Sequence, residues 1–175
     1  MGATAGTVVI PETGTYEVDP AGCDITFTTR HMFGLGPVKG RFALRSGSVV
    51  VALPITASLV VAAIETASFG TGNPQRDKHI RSGDFLDAKN HPEIVFTSTG
   101  IGETEQGWVL RGEITARGVI APIELKVIEV AMEGDVITLR VTGTVDRYAH
   151  GITKMKGMAG RYLALDIRAR AVRAG

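Results

Sequence analysis

Residues 23–30 read CDITFTTR, and in this stretch apolar and polar side chains alternate. Single polar residues separate Cys23, Ile25 and Phe27, and a period of two is that of a β-strand with one buried face. The same alternation, or an enrichment in β-branched residues, marks the segments 38–45, 48–53, 57–63, 94–101, 108–117, 120–131, 136–145 and 159–172. The pattern therefore predicts an all-β protein with about eight or nine strands.

The connections between these segments are short and rich in glycine, which makes up 22 of the 175 residues. Short connections join antiparallel neighbours. We expect a tight turn at Ser46 and Gly47, and a break at Pro54 that divides the uncharged stretch 47–64 into two strands. A sheet with this many strands must close into a barrel or split into two layers, and the residues alone leave both possibilities open.

One segment departs from the β pattern. Asn73 can cap a helix whose first residue is Pro74, a position that proline favours. The following residues, PQRDKHIRS at 74–82, are polar and are followed by Gly83 as a stop signal. The sequence predicts one short helix over 74–82 that lies across an opening or an edge of the sheet.

Charge and cysteine content exclude several classes of protein. The net charge is +1, with 19 basic and 18 acidic residues and no basic cluster, which argues against a nucleic-acid partner. With Cys23 as the one cysteine, an intramolecular disulfide is impossible, and we expect a packed thiol. Residues 1–14 are expected to form a flexible tail before a single domain over 15–175. Because this tail lacks the features of a secretory signal, we expect a soluble cytoplasmic protein, or a periplasmic or secreted one if the sequence is trimmed.

The residues that carry chemistry are scattered. The four histidines are His31, His79, His91 and His150, and none lies in a metal-binding signature. No motif of the Gly-x-Ser-x-Gly type is present. The sequence therefore predicts no metal site, no cofactor and no catalytic residue.

Four blocks of residues, in order along the chain, resemble the YceI-like family. They are Tyr16-x-x-Asp19 with Ile25-x-Phe27-x-x-x-His31 and Val38-x-Gly40-x-Phe42, then Arg76-Asp77-x-His79-Ile80-Arg81-Ser82-x-Asp84-Phe85-Leu86-Asp87, then His91-Pro92-x-Ile94-x-Phe96-x-Ser98, then Gly112-x-Ile114-Thr115-x-Arg117-Gly118-Val119-x-x-Pro122-Ile123. The resemblance extends from Thr15 to about Ile167. Where the family often has an Arg followed by an acidic residue and Phe-Gly, this chain reads Arg147-Tyr148-Ala149-His150-Gly151, so the rim of the pocket is expected to differ there.

This resemblance implies a lipocalin-like antiparallel barrel of about eight strands with one helix at its end. It also implies a non-enzymatic protein that transports or stores a polyprenyl, quinone or similar long-chain amphiphile inside the barrel. Homodimers and transient contact with a membrane are further expectations. Two alternatives remain: an enzyme that modifies such a lipid with His31 or His79 as acid–base group, and a filled barrel that acts through a protein partner.

The expected binding residues depend on the environment that the lipid leaves when it enters the barrel. Its tail is already in an apolar environment in a membrane, so transfer into the barrel gains little, and selectivity must come from the head group and the cavity length. We expect head-group contacts near the helix, at His31, Arg76, Asp77, His79 and Arg81. We expect tail contacts at Ile25, Phe27, Phe33, Phe42, Phe85, Phe96 and Trp108.

Overall fold

The computed structural model describes residues 7–31 and 36–175. Its strands are β1 (Gly14–Val18), β2 (Asp24–His31), β3 (Gly36–Val51), β4 (Leu59–Gly70), β5 (Glu93–Thr104), β6 (Gly107–Ala116), β7 (Val119–Glu133), β8 (Val136–Asp146) and β9 (Tyr162–Arg173). One α-helix, α1, covers Pro74–Arg81, and short 3-10 turns cover Pro20–Gly22, Ile55–Ala57 and Arg147–His150.

The nine strands form a closed barrel. The order is β3, β2, β9, β8, β7, β6, β5, β4, and β4 pairs again with β3, so no free edge remains. Every pair of neighbouring strands is antiparallel. Both β1 and β2 pair with β3 on one side and with β9 on the other. The two strands therefore lie end to end and together fill one strand position of the barrel, between β3 and β9. The prediction of an all-β, lipocalin-like barrel of about eight strands is confirmed.

The predicted turn at Ser46 and Gly47 is wrong, because β3 continues through both residues. A shift in the register of β3 with β4 occurs between Leu44 and Ser46. A Cβ atom at Gly47 would lie 3.1 Å from a methyl group of Val18, so this glycine permits close packing instead of a turn. The break at Pro54 is confirmed, since β3 ends before it and β4 begins after it.

Aromatic rings fill space beside glycines within strands. A Cβ atom at Gly40 would overlap the ring of Phe27, its cross-strand partner. The centroid of the Phe27 ring lies 5.7 Å from that of Phe42 and 5.3 Å from that of Phe69, within the range of favourable aromatic pairs. These three rings pack together near the end of the barrel at which β4 leads into α1.

The helix agrees with its prediction to within one residue. The Asn73 side chain accepts a hydrogen bond from the backbone N–H of Arg76 at 3.1 Å, which caps the first turn. The helix ends at Arg81, with Ser82 instead of Gly83 at its C-cap. Within the described part of the chain, no helix combines the length and the apolar character needed to cross a membrane.

We call the end of the barrel that carries α1 and the Arg147–His150 turn the helix end. The strands β4 and β8 finish there, and β5, β7 and β9 begin there. The Arg147–His150 turn and the segment 151–161 connect β8 to β9.

Candidate functional site

An apolar cavity of about 290 Å³ lies inside the barrel. Strand β9 illustrates how the sequence forms its wall, because alternate residues Leu163, Leu165, Ile167 and Ala169 all line the cavity. The alternation that predicted a half-buried strand thus supplies an apolar surface to the inside of a closed barrel. The polar exceptions among the lining side chains are Cys23, Ser58, Arg147 and His150.

Cys23 adds little reactivity to the wall. Burial, with a smaller contribution from the charge of Asp24, raises the pKa of its thiol to about 11. At neutral pH the thiol is therefore protonated, and a protonated thiol is a poor nucleophile and metal ligand. Among the residues that the structure describes, no three His, Cys, Asp or Glu side chains are arranged to hold a metal ion.

Arg147 is a buried cation at the helix end of the cavity, with only 6% of its surface exposed. Its Nε donates to the carbonyl of Gly160 at 2.8 Å, its Nη1 to that of Ile152 at 2.8 Å and its Nη2 to that of Ala159 at 3.2 Å. Burial lowers the pKa of the guanidinium, while these carbonyls compensate for lost water. Arg147 therefore ties the segment 151–160 to the end of the barrel.

Aromatic rings complete the surroundings of this guanidinium. Its Cζ lies 5.6 Å from the centroid of Phe85 and 4.9 Å from that of Tyr148. The nearby carboxylate of Asp146 accepts two hydrogen bonds of 2.9 Å from Arg161, and these bonds hold the pKa of Asp146 below its ordinary value. Throughout residues 7–31 and 36–175, no carboxylate oxygen comes within 4.0 Å of a nitrogen of Arg147.

His150 is the second polar residue at this end of the cavity, and it is only 3% exposed. Its Nδ1 lies 2.9 Å from the backbone carbonyl oxygen of Val119. A carbonyl oxygen can only accept, so Nδ1 carries a proton and donates it, and in the neutral ring Nε2 is an acceptor. The prediction of binding residues missed both His150 and Arg147. The signal available was the departure from the family pattern in this same segment.

Four of the predicted head-group residues lie together on α1. Asp77, 6% exposed, accepts hydrogen bonds from the backbone N–H of Thr71 at 3.0 Å and from the Thr71 hydroxyl. Arg76 also donates to this hydroxyl, at 3.0 Å. Burial opposes the charge of Asp77, but the Thr71 bonds and the charges of Arg81 and Arg76 outweigh it and lower the pKa of Asp77.

The remaining side chains of α1 also bond within the protein. Arg81 Nε donates to the carbonyl of Phe69 at 2.9 Å, which ties α1 to the end of β4. His79 Nε2 lies 3.0 Å from an oxygen of Asp84, and its ring meets that of Phe85 edge-on at 5.1 Å. None of the four predicted residues on α1 is part of the cavity wall. The side chain of His31 lies outside the described part of the chain, and the head-group role of these five residues stays a prediction.

The predicted tail contacts divide into groups. Those that line the cavity are Ile25, Phe42 and Phe96. Phe27 belongs to the aromatic group beside Gly40, Phe85 packs against Arg147, and Trp108 packs against the apolar cluster around Phe96. Phe33 lies outside the described residues. Contact of any of these side chains with a ligand stays a prediction.

Comparisons with known proteins agree with this architecture. The family model described as the YceI-like domain matches residues 16–171. A UPF0312 protein of Vibrio campbellii is 34% identical over 128 residues, which cover 72% of this chain and 64% of the relative. A UPF0312 protein of Vibrio vulnificus is 37% identical over 114 residues, which cover 63% of this chain and 60% of the relative. The chain thus spans less than two thirds of the length of these curated relatives.

Solved structures share the fold at low sequence identity. Burkholderia cenocepacia BcnA has a TM-score of 0.76 at 21% identity, covering 89% of this chain and 99% of its own. A polyisoprenoid binding domain from Saccharophagus degradans has a TM-score of 0.69 at 13% identity, covering 93% of this chain and 100% of its own. Because the family model matches nearly the whole barrel, and the strand order closes it, the chain belongs to the YceI-like domain family.

Proposed function

We propose that this protein binds the tail of a long-chain, isoprenoid-like amphiphile inside its barrel and carries or stores it. The observation that carries the proposal is the apolar cavity of about 290 Å³. A cavity with such a wall is a poor site for water, which needs polar partners, and a good site for an apolar ligand. The similarity in fold to a polyisoprenoid binding domain supports the same ligand class.

An occupant of the cavity would contact an apolar wall that offers water few partners. A bound tail makes these contacts and stabilises the folded protein.

Binding without catalysis accounts best for the polar groups of the cavity wall. The Cys23 thiol is protonated at neutral pH, and Arg147 donates from all three guanidinium nitrogens to backbone carbonyls. The competing enzyme hypothesis relies on His31 or His79, and it requires turnover of an extracted lipid that is lost when the histidine is replaced. The hypothesis of a filled barrel that acts through a protein partner is less well supported, because the interior holds a cavity.

Loading from a membrane is part of the proposal. Residues 151–162 contain three exposed basic residues, Lys154, Lys156 and Arg161, and no acidic one, and Arg161 pairs with Asp146. In the same segment, Met155 and Met158 expose 41% and 39% of their surfaces. Exposed apolar side chains among cations favour contact with an anionic bilayer. We propose that this surface touches the membrane while the lipid enters or leaves.

A pair of alanines on β9 gives a matched test of the cavity. Ala169 lines the cavity, whereas Ala164 on the same strand is exposed on the outside. Ala169→Phe fills the space that a ligand needs, and Ala164→Phe adds the same ring outside the barrel. Native mass spectrometry of protein purified without detergent should show a bound mass in the lipid range for the wild type and for Ala164→Phe.

The same spectra should show that mass reduced at least tenfold for Ala169→Phe. If the wild type carries no lipid and takes up no added farnesol, the proposed function is wrong. It is also wrong if Ala169→Phe folds and binds as the wild type does.

A further inference from the structure

His150 is one of the few polar residues in the wall of an otherwise apolar cavity. Within the described residues, the hydroxyl of Thr66 is the one side-chain N or O atom that is both fully enclosed and without a hydrogen-bond partner. The Nε2 of His150 likewise has no hydrogen-bond partner among the described residues. His150 lines the cavity and is only 3% exposed, so a ligand in the cavity is the partner that its position favours.

The hydrogen bond that Nδ1 makes determines whether Nε2, on the other side of the ring, donates or accepts. The carbonyl of Val119 occupies Nδ1 and requires a proton there. In neutral imidazole the second nitrogen then has a lone pair and no hydrogen. A ligand atom that meets Nε2 must therefore donate a hydrogen bond if the contact is to be favourable.

The neighbouring Arg147 does not offer a comparable free group. Each of its three nitrogens already donates to a backbone carbonyl, and two aromatic rings lie over its plane. Its bonds hold the segment 151–160 in place, while the Nε2 of His150 has no partner among residues 7–31 and 36–175. The two residues therefore have different tasks, although both contribute to the same end of the cavity.

We infer that His150 is the head-group subsite of this cavity and that it selects amphiphiles whose head donates a hydrogen bond, such as a primary alcohol or a primary amide. The inference rests on the proposed function, because it assumes that an apolar tail occupies the barrel. A head that can only accept, such as an ether or an ester, leaves Nε2 without a partner in an apolar cavity, and that loss is what discriminates.

Farnesol and its methyl ether test this inference, because they share one tail and differ in the O–H donor. Isothermal titration calorimetry with the full chain should give farnesol an affinity about 3- to 10-fold above that of the ether, the range for one neutral hydrogen bond. In His150→Asn an amide N–H can still reach the Val119 carbonyl, but nothing replaces Nε2. This variant should bind both ligands within twofold of each other, at the affinity of the ether for the wild type.

His150→Phe removes both nitrogens and keeps an aromatic ring, so it provides a second test if the asparagine variant folds poorly. Equal affinities in the wild type overturn the inference, as does a preference that persists in both variants, which would come from the bulk of the ether. Farnesoic acid binding more than tenfold more tightly than farnesol also overturns it, because pairing with the charge of Arg147 would then dominate. If the wild type binds neither farnesol nor the ether, whereas the inference predicts binding of both, the proposed function itself fails.

Discussion

Two polar segments lie at the helix end of the barrel, and they use their side chains differently. On α1, the groups Arg76, Asp77 and Arg81 all bond to the backbone or side chains around the end of β4. In the Arg147–His150 turn, Arg147 is equally occupied, whereas His150 lines the cavity and its Nε2 has no bond to a described residue. A cluster of polar residues near a cavity is therefore a weaker guide to binding than a buried polar residue in the cavity wall.

The short length of α1 explains why its side chains are occupied. A helix of eight residues is not stable by itself, because the cost of nucleation exceeds what so few bonds return. Its position therefore depends on tertiary bonds such as those of Asp77 with Thr71 and Arg81 with Phe69. Polar residues that anchor an element in this way are not free to bind a ligand.

The largest expected effect is on the anchor of the turn. Arg147→Met removes three hydrogen bonds from a charged donor and leaves one buried and two partly buried carbonyls without that donor, so we expect a loss of about 4 kcal/mol in the free energy of unfolding. Urea denaturation measures it. The control is Arg161→Met, which breaks an ion pair with Asp146 whose arginine side chain is 45% exposed, and it should cost clearly less than Arg147→Met. Equal costs for the two variants would show that Arg147 is not the anchor.

Asp77, which anchors α1, should contribute less to the free energy of unfolding than Arg147, and its contribution should depend on pH. Asp77→Asn weakens the acceptor for Thr71, and we expect a loss of about 1–2 kcal/mol at pH 7. Because the folded protein lowers the pKa of Asp77, the stability that its charge contributes is present above the unfolded pKa of about 3.9 and is lost as pH falls further, through the folded value.

The difference between wild type and Asp77→Asn should therefore shrink below about pH 4, as measured by urea titrations from pH 7 to 2.5. Asp146 and Asp166, which also have lowered pKa values, are present in both proteins and cancel in the difference. A difference that stays constant over this range would contradict the role of the Asp77 charge.

The two segments should also differ in their contact with membranes. Lys156→Gln removes a cation from the surface that exposes Met155 and Met158, and should weaken binding to anionic vesicles about fivefold, given roughly 1 kcal/mol per basic residue. Lys78→Gln removes an exposed cation from α1 and should weaken it less than twofold. Vesicle sedimentation measures both, and the reverse order would place the membrane contact on α1.

The smallest expected effect is that of His79→Ala. Its ion pair with Asp84 is about half exposed, with 45% and 54% of the two side chains accessible, so its loss should change stability by no more than about 0.5 kcal/mol. The preference for farnesol over its ether should remain, in contrast to His150→Asn. If His79→Ala abolishes that preference and His150→Asn does not, the head group binds at α1.

Local features could be predicted because local interactions produce them. Asn73 caps the helix through a bond to Arg76, three residues away, and the alternation of β9 identifies its inward residues without knowledge of any partner. Ile25, Phe42 and Phe96 could be selected as candidates for the interior for the same reason. The predicted turn at Gly47 is wrong because this glycine makes room for the side chain of Val18, a residue on another strand.

The sequence by itself determined the strands, the helix and the apolar faces, since their periodicities and caps depend on neighbours a few residues apart. Only the tertiary structure decided that these faces enclose a cavity and that His150 lines it, buried and bonded through Nδ1 to the carbonyl of Val119. The bond that orients His150 joins residues 31 positions apart, and the carbonyls that occupy Arg147 lie 5, 12 and 13 residues further along the same connection. Whether a polar atom is satisfied depends on how these segments fold against one another, so residue type and spacing could not distinguish the anchors from the proposed subsite.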